Sequence, residues 1–342
     1  GGEFYNLTIS GSGTKSILSN IDINNDVYIS AGTILYANSN TIYVGNDWTN
    51  LAGTSGFVQN GTGTVIFDGS VWAQNVGLGA SLTTTFNNII VNCNGSVSFD
   101  KNTTINGDLS IQNGYVYIQN NIDITGNGTS NNFNMTGGRL YLSGHSSDNT
   151  NNFPKQFENT NITGGIVYYF ADFNQTIYPT TYYSLAVGRN TAGNLTTKTL
   201  TNDLTINGSL YVSDIETLLD VNDHTINLVG EIIFPTNGRQ IQWGLNGTLN
   251  HIGESWTVDG DINYFNNLIK RNRGYIRFLY KNIEIRGNMS IIEDSYLIQD
   301  TINIVSTGTN KTFTLGPTSY LYSYNPSVLG TSTGRKAFPV NF

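Results

Sequence analysis

The chain has 342 residues, 12% charged side chains and a formal net charge of −8. This length exceeds the usual single compact core, so the chain forms either two domains or one elongated body that gains core by repetition. The negative charge argues against nucleic acid as the main partner, and no stretch approaches the ~18 consecutive apolar residues of a membrane span.

The composition predicts an all-β fold. It holds 48 Asn, 38 Gly and 68 Ser plus Thr, whereas the helix-favouring residues Ala, Glu, Lys and Arg are scarce. With 38% hydrophobic residues the chain is too apolar to be disordered. Cys93 is the single cysteine, so it forms no internal disulfide, and we expect it to be packed rather than reactive.

Four segments open with an aromatic cluster followed by a short apolar strand, and this self-similarity is the strongest signal in the sequence. The openings recur at intervals of about 80 to 95 residues. The first has neither the charged nor the apolar region of a signal peptide, so we expect a mature form or a segment of a longer polypeptide. The four openings are Phe4–Ile9, Phe86–Val91, Tyr182–Val187 and Phe265–Lys270.

Each opening leads into a second shared pattern of two alternating strands around an Asn-Gly-type corner, where Gly or Asn is expected to accept a positive φ. The copies match position by position: Ile21–Ile29, Thr103–Ile111, Leu204–Val212 and Ile283–Ile291. A third shared strand follows about 17 to 20 residues beyond the middle Ile of the second pattern, an interval close to one solenoid coil. Its copies are Thr41–Val44, Asn121–Ile124, Thr225–Leu228 and Thr301–Ile304.

These intervals predict a parallel β-solenoid, with right-handed coiling favoured. A sandwich of β-hairpins would show the same alternation of apolar and polar residues, because Asn-Gly is also a hairpin turn, but the constant interval favours the solenoid. Coils of about 20 residues would give roughly 16 coils in one continuous elongated solenoid. We divide it into four degenerate repeats: 1–85, 86–181, 182–264 and 265–342, the last with a C-terminal cap or docking extension.

The two shared patterns, together with Gly45–Asn50 and Gly61–Gly69, resemble the repeats of large secreted surface proteins of bacteria and archaea. These are Asn/Thr/Gly-rich parallel β-helix proteins, including adhesin-like, surface-layer-like and filament-forming chains. The resemblance weakens after the second repeat, where the Trp-Thr element survives only at Trp256–Val258. It implies an exported cell-surface protein with a scaffold or attachment role, and it supplies no catalytic residues.

A polysaccharide-degrading β-helix enzyme would need clustered acids with a basic or His partner on one face. Pectinase-like motifs are absent, so we expect solvated turn acids, no catalytic residues and no required cofactor. The acidic candidates are Asp259 with Asp261, and Asp220 with Asp223 beside His224.

Structural calcium bound by oxygen-rich turns is an alternative use of some of these acids, because carboxylate and amide oxygens are hard ligands. The turns do not match a known calcium-loop spacing. The three histidines are far apart and lack Cys partners, so the sequence does not predict zinc. The weak calcium candidates are Asp22, Asp26, Asp220 and Asp223.

Thirteen Asn-x-Ser/Thr sequons are candidate glycosylation sites, a small excess over chance for this composition. Bare corner asparagines are the alternative, because stacked Asn side chains form amide ladders between coils. The sequon residues are Asn6, Asn60, Asn94, Asn102, Asn127, Asn134, Asn161, Asn174, Asn194, Asn207, Asn246, Asn288 and Asn310.

Residues 270–286 carry a net charge of +5, while residues 1–269 sum to −13. This basic segment is either a solvated face or a head-to-tail contact that meets the acidic body of a neighbouring copy. Aromatic clusters such as Tyr168–Phe170 and Tyr320–Tyr324 are either sugar-stacking platforms or, as we favour, internally stacked rings. The basic residues are Lys270, Arg271, Arg273, Arg277, Lys281 and Arg286.

The sequence as a whole favours an extracellular structural protein, a β-solenoid subunit or segment of a cell-surface filament, sheath or layer. Its expected partners are copies of itself in a homopolymer. The alternative is a carbohydrate-binding adhesin segment that contacts surface glycans, and a polysaccharide-degrading enzyme is the third hypothesis.

Overall fold

The chain is an all-β parallel solenoid of about 14 turns, with 1% of its residues helical. This confirms the predicted fold class and excludes the hairpin sandwich. The computed structural model describes residues 2–77, 83–191, 193, 195–234, 241–258, 262, 264–278, 283–299 and 304–323. Within these ranges the only helical element is a 3-10 turn at Gly53–Ser55.

Contacts divide the chain into two units, Gly1–Ala171 and Asp172–Phe342. In unit 1, strands recur on three faces, and equivalent strands of successive coils pair in parallel. The first face holds Gly2–Phe4, Ile21–Ile23, Thr41–Val44, Thr64–Phe67, the first halves of Asn88–Phe99 and Leu109–Ile118, Asn132–Met135 and Asn159–Ile162.

The second face follows the first in every described coil of unit 1, and the third face follows in the first six coils. Strands Asn88–Phe99 and Leu109–Ile118 are long enough to continue around the corner from the first face to the second. The second face holds Leu7–Ile9, Val27–Ile29, Trp48–Asn50, Gln74–Val76, the second halves of those two strands, Arg139–Leu142 and Ile166–Tyr169. The third holds Gly13–Ser16, Thr33–Asn38, Phe57–Gln59, Thr84–Phe86, Thr103–Ile105 and Ile124–Gly126.

Unit 2 repeats the same construction around one seven-stranded parallel sheet. That sheet holds Thr181–Tyr182, Leu204–Ile206, Thr225–Leu228, Thr248–His251, Asn267–Lys270, Met289–Ile291 and Phe313–Leu315. Four further parallel sets are Gln175–Ile177, Thr196–Leu200, Thr217–Asp220 and Ile241–Gln242; Ser184–Val187, Leu210–Val212 and Ile232–Ile233; Trp256–Val258, Gly274–Phe278, Ser295–Gln299 and Tyr320–Ser323; and Tyr264–Phe265, Ile283–Ile285 and Ile304–Ser306.

Alternation of buried and exposed residues builds the core, because every second side chain of a strand points inward. Ile42, Val65 and Ile89 stack in register on the first face of unit 1, and all three are fully buried. Burial of each such side chain contributes about 1.5–3 kcal/mol. Cys93 is buried as predicted, and desolvation raises the pKa of its thiol.

Coil length varies more than the sequence analysis assumed. Ile21 pairs with Ile42, but Phe133 pairs with Thr160, so the second of these coils is the longer one. The longer coils explain why the solenoid has about 14 turns rather than 16. Right-handed coiling stays a prediction.

The two shared patterns lie in consecutive coils in all four copies. The third residue of each opening uses its side-chain oxygen to accept a hydrogen bond from the backbone N–H of the sixth residue of the next pattern. The position-by-position match therefore reflects the same corner geometry, while the grouping into four repeats stays a prediction. The pairs are Asn6–Asp26 at 3.1 Å, Asn88–Asp108 at 2.8 Å, Ser184–Ser209 at 3.2 Å and Asn267–Asn288 at 2.9 Å.

The expected reason for glycine at these corners is wrong. Neither Gly107 nor Gly287 has a positive φ. A Cβ at Gly107 would lie 2.2 Å from Oδ1 of Asn88, and one at Gly287 would lie 2.3 Å from Oδ1 of Asn267. Glycine is required because the asparagine of the preceding coil, which forms the corner hydrogen bond, occupies the space that a side chain would need.

We therefore expect Gly107→Ala to lower the free energy of unfolding by about 1–3 kcal/mol, because the corner must open to admit the methyl group. Urea unfolding measures this effect. Gly193→Ala is the matched control, since its Cβ would meet only Arg189, at 3.8 Å. Equal stability of the two variants would contradict the steric explanation.

Candidate functional site

The first coil of unit 1 presents a strand edge. Within the described residues its strands, Gly2–Phe4, Leu7–Ile9 and Gly13–Ser16, each pair with one strand, which belongs to the second coil. Leu7 donates its N–H to the carbonyl of Asp26 at 2.8 Å, and the carbonyl of Ile9 accepts from Ser30 at 2.9 Å.

In strand Leu7–Ile9, the backbone groups of one residue point to the open side, which is the side away from the second coil. Successive residues of a parallel strand bond to opposite neighbours, so Thr8 points its N–H and C=O away from the second coil. Apolar side chains accompany this edge: Phe4 is 44% exposed, Tyr5 70% and Leu18 89%. The first coil therefore offers both backbone groups and apolar surface to a further β-coil.

Side-chain hydrogen bonds connect the corners of successive coils. Asp108 Oδ1 accepts from the backbone N–H of Asn132 at 2.8 Å and from its Nδ2 at 2.9 Å. Asparagine pairs also bond successive coils, at the Asn25–Asn6 corner and, in the other pairs, between paired strands, while continuous amide ladders along the corners stay a prediction. The pairs include Asn25–Asn6 at 2.8 Å, Asn159–Asn132 and Asn161–Asn134 at 3.0 Å, and Asn250–Asn227 at 2.8 Å.

Three of the calcium candidates accept hydrogen bonds that shape turns. Asp26 Oδ1 accepts from Asn46 Nδ2 at 2.8 Å. In the part of the chain that the structure describes, no group of three or more His, Cys, Asp or Glu residues could hold a metal ion. Calcium binding stays a prediction. The other acceptors are Asp220, for Asn222 N–H at 3.0 Å, and Asp223, for Asn246 N–H at 2.7 Å.

The remaining acidic candidates do not form a described cluster. Asp22 lies near Asp68, and desolvation of Asp68, together with the charge of Asp22, raises the pKa of Asp68. His224 Nδ1 lies 3.6 Å from Asp203 rather than against the two acids beside it in the sequence. Asp259 and Asp261 lie outside the described residues.

Sequence reasoning missed the ionic clusters, among them one around Asp123 in unit 1. Its Oδ1 lies 2.8 Å from Lys155 Nζ and 3.1 Å from His145 Nε2. Lys155 also forms a parallel bridge with Thr125, so the cluster ties residues 145–155 to the preceding coil. Both partners are distant from Asp123 in the sequence, and only the register of the coils brings them together.

The basic segment is divided between core and surface. Lys270 is fully buried, so its assignment as a surface assembly contact is wrong. Its Nζ donates to the carbonyls of Gly253 at 2.7 Å and Asn272 at 3.2 Å, and also to that of Arg271. Desolvation lowers the pKa of Lys270 to about 8.

Two surface arginines of this segment contact acids or rings. Arg271 pairs with Glu293 at 2.8 Å, and Arg286 pairs with Glu284 at 3.0 Å while lying over the Tyr264 ring. Arg273 is exposed, and Arg277 is partly buried. Lys281 lies outside the described residues. A head-to-tail contact through the surface arginines stays a prediction.

Two other basic side chains are fully buried in unit 2. Desolvation lowers the pKa of Lys198 to about 7, and its Nζ donates to the carbonyl of Phe173 at 2.9 Å. Desolvation, aided by the charge of Lys270, lowers the pKa of His251 to about 4. His251 Nε2 lies 3.0 Å from the carbonyl of Gly230.

Aromatic rings on the second face of unit 1 stack on one another, which confirms the internal-stacking interpretation for Tyr168 and Phe170. Tyr141 stacks between Tyr117 and Tyr168, with centroids 4.7 and 5.2 Å away and ring planes within 19°. Phe170 meets Tyr141 edge-on at 5.2 Å. Because these ring faces contact each other, they are not free to stack on a sugar. Tyr296 and Tyr320 stack similarly at 5.5 Å, and Tyr324 lies outside the described residues.

Nearly all described sequon asparagines are on the surface. Asn134 is partly buried, the other eleven are exposed, and Asn194 lies outside the described residues. Asn102 and Asn174 use Oδ1 to accept backbone N–H groups at 2.9 Å, which leaves the Nδ2 atom that would carry a glycan out of that bond. Asn161 instead donates Nδ2 to Asn134. Glycosylation stays a prediction.

Searches of known protein families, curated proteins and solved structures found no match to this chain. Among the residues that the structure describes, we find no helix with the length and apolar character needed to cross a membrane.

Proposed function

We propose that the chain is an extracellular structural protein, a β-solenoid segment of a cell-surface filament, sheath or layer, without an enzymatic role. The parallel stacking of successive coils in unit 1 carries this proposal, because each coil binds the next through backbone pairing. The strands of the first coil have backbone groups of the same kind beside exposed Phe4, Tyr5 and Leu18, and such strands can pair with a further coil.

The occupant that we propose for this edge is a coil of a second copy of the chain. Within unit 1, each coil binds the next through parallel strand pairing and through corner side chains, as Asp108 binds Asn132. A coil from another copy would find the same kinds of donors and acceptors on the first coil. The extracellular location is part of the proposal, and the exposed Asn-x-Ser/Thr sequons would be accessible to glycosylation there.

Thr8→Pro tests the proposal, because proline removes an N–H that points to the open side and leaves the bonds to the second coil in place. We expect the wild-type chain to form ordered polymers as its concentration rises, and the variant to stay monomeric with an unchanged melting temperature. Analytical ultracentrifugation and negative-stain electron microscopy measure assembly.

Thr205→Pro is the matched control, since Thr205 lies in a strand that is paired on both sides. We expect it to lower the melting temperature, because proline there removes a hydrogen bond within the sheet. The proposal fails if the wild-type chain is monomeric at every concentration, or if Thr8→Pro assembles as the wild type does.

A further inference from the structure

A groove of about 610 Å³ crosses the first face of unit 1. It runs over four successive coils, represented on its lining by Thr64, Asn88, Ser110 and Asn134. Three inter-strand steps of about 4.8 Å make the groove about 14 Å long. This length fits a linear ligand better than a single small ring.

Small residues form the floor of the groove. Ser110 pairs in register between Ile90 and Asn134, and its side chain is shorter than either neighbour. Gly107 lines the same region and has no side chain at all. The depression therefore follows from residue size on otherwise regular strands.

Amide and hydroxyl groups dominate the lining, with Ile90 as an apolar patch. Several of these groups are held in place. Asn88 donates Nδ2 to the carbonyl of Gly63 at 3.0 Å, and Asn134 accepts from Asn161 at 3.0 Å through Oδ1, which leaves the Nδ2 of Asn134 to donate. The Nδ2 of Asn134 can donate to a ligand, and the carboxylate of Asp108 and the hydroxyl of Ser110 can accept, which suits a ligand whose hydroxyls do both.

We propose that this groove binds a neutral linear glycan along the solenoid axis. Asp108 is the only charged residue among the described lining residues, so a glycan bearing carboxylates or sulfates would be repelled. A peptide could not add here as a strand, because the backbone of the strands beneath is paired on both sides. Sugar hydroxyls would bond to the side chains, and sugar C–H groups would pack on Ile90.

The test is native affinity electrophoresis in gels that contain a soluble neutral glucan, mannan or galactan, with polygalacturonate as the anionic comparison. We expect at least one neutral polysaccharide, and not polygalacturonate, to retard the wild-type chain. Ser110→Tyr fills the floor of the groove and should weaken that binding at least tenfold.

Ser290→Tyr is the matched control, because Ser290 occupies the same position of the second shared pattern, in the middle of the unit 2 strand Met289–Ile291. It should bind as the wild type does, and so should Thr8→Pro, which separates glycan binding from assembly. Retardation of Ser110→Tyr equal to that of wild type would overturn the assignment. So would stronger binding of polygalacturonate, or no retardation by any of the neutral polysaccharides.

Discussion

Replacing Lys198 with methionine should raise the free energy of unfolding at pH 7 by about 2 kcal/mol. Lys198 is fully buried, stacks in register with the buried Leu219, and has a pKa lowered to about 7 by desolvation. Methionine keeps the unbranched shape without the amine. The stability gained by the substitution is reduced because the carbonyl of Phe173 loses the hydrogen bond that Lys198 donates.

The effect of Lys198 on stability should depend on pH. Above pH 10.5 the amine is neutral in both folded and unfolded chains, and no cost arises. Between pH 10.5 and 7 the unfolded chain binds a proton that the folded protein does not, so stability falls as the pH falls and is lowest below about pH 7. The difference in the free energy of unfolding should therefore change by about 3 kcal/mol, from about 2 kcal/mol in favour of Lys198→Met at pH 7 to about 1 kcal/mol in favour of the wild type at pH 10.

Urea unfolding of both proteins at pH 7 and pH 10 measures this change, and comparing them at each pH cancels the titration of the tyrosines. Lys15→Met, at an exposed lysine, is the control for loss of an amine elsewhere. If Lys198→Met and the wild type differ in free energy of unfolding by the same amount at both pH values, Lys198 does not titrate as its burial requires.

The alternation of strand residues and the coil-sized interval between similar strands together predicted the solenoid. The alternation also held information that the sum of charges left out. In strand Thr196–Leu200, Lys198 lies on the same face as the buried Leu200. In strand Asn267–Lys270, Lys270 lies on the same face as the buried Leu268. Summing the charge of residues 270–286 treated Lys270 as surface. The period of two places it inside, where corner carbonyls satisfy its amine.

The groove and the corner glycines could not be predicted in the same way, because both depend on the register between coils. Ser110 becomes a groove floor because Ile90 and Asn134, which are distant from it in the sequence, pair with it. Gly107 is confined by Asn88 for the same reason. Coil lengths vary, so no single repeat length in the sequence aligns these residues.

Replacing His251 with leucine should remove an acid sensitivity of unit 2, which is a loss of folding stability as the pH falls from 6.5 to about 4. In the unfolded chain the ring takes up a proton as the pH falls below 6.5, whereas in the folded protein its pKa is lowered to about 4. The stability contributed by the neutral ring is complete above pH 6.5 and falls by about 3 kcal/mol as the pH approaches 4.

Leucine should fit the position, because Leu228 occupies the equivalent site one coil earlier, in register with His251, and both are fully buried. The substitution also removes Nδ1, a buried atom without a hydrogen-bond partner in the described residues. At pH 7 we expect the free energies of unfolding of the two proteins to differ by no more than about 1 kcal/mol. Loss of the contact with the Gly230 carbonyl lowers stability, and removal of the buried, unpaired Nδ1 raises it.

Urea unfolding at pH 7 and pH 4.5 separates protonation from packing, because a packing defect would lower stability by the same amount at both pH values. We expect His251→Leu to be more stable than the wild type by about 2–3 kcal/mol at pH 4.5. His224→Leu is the control for loss of a histidine elsewhere in unit 2. If the acid sensitivity persists in His251→Leu, it arises from other groups, and the buried His251 beside Lys270 carries no proton-linked cost.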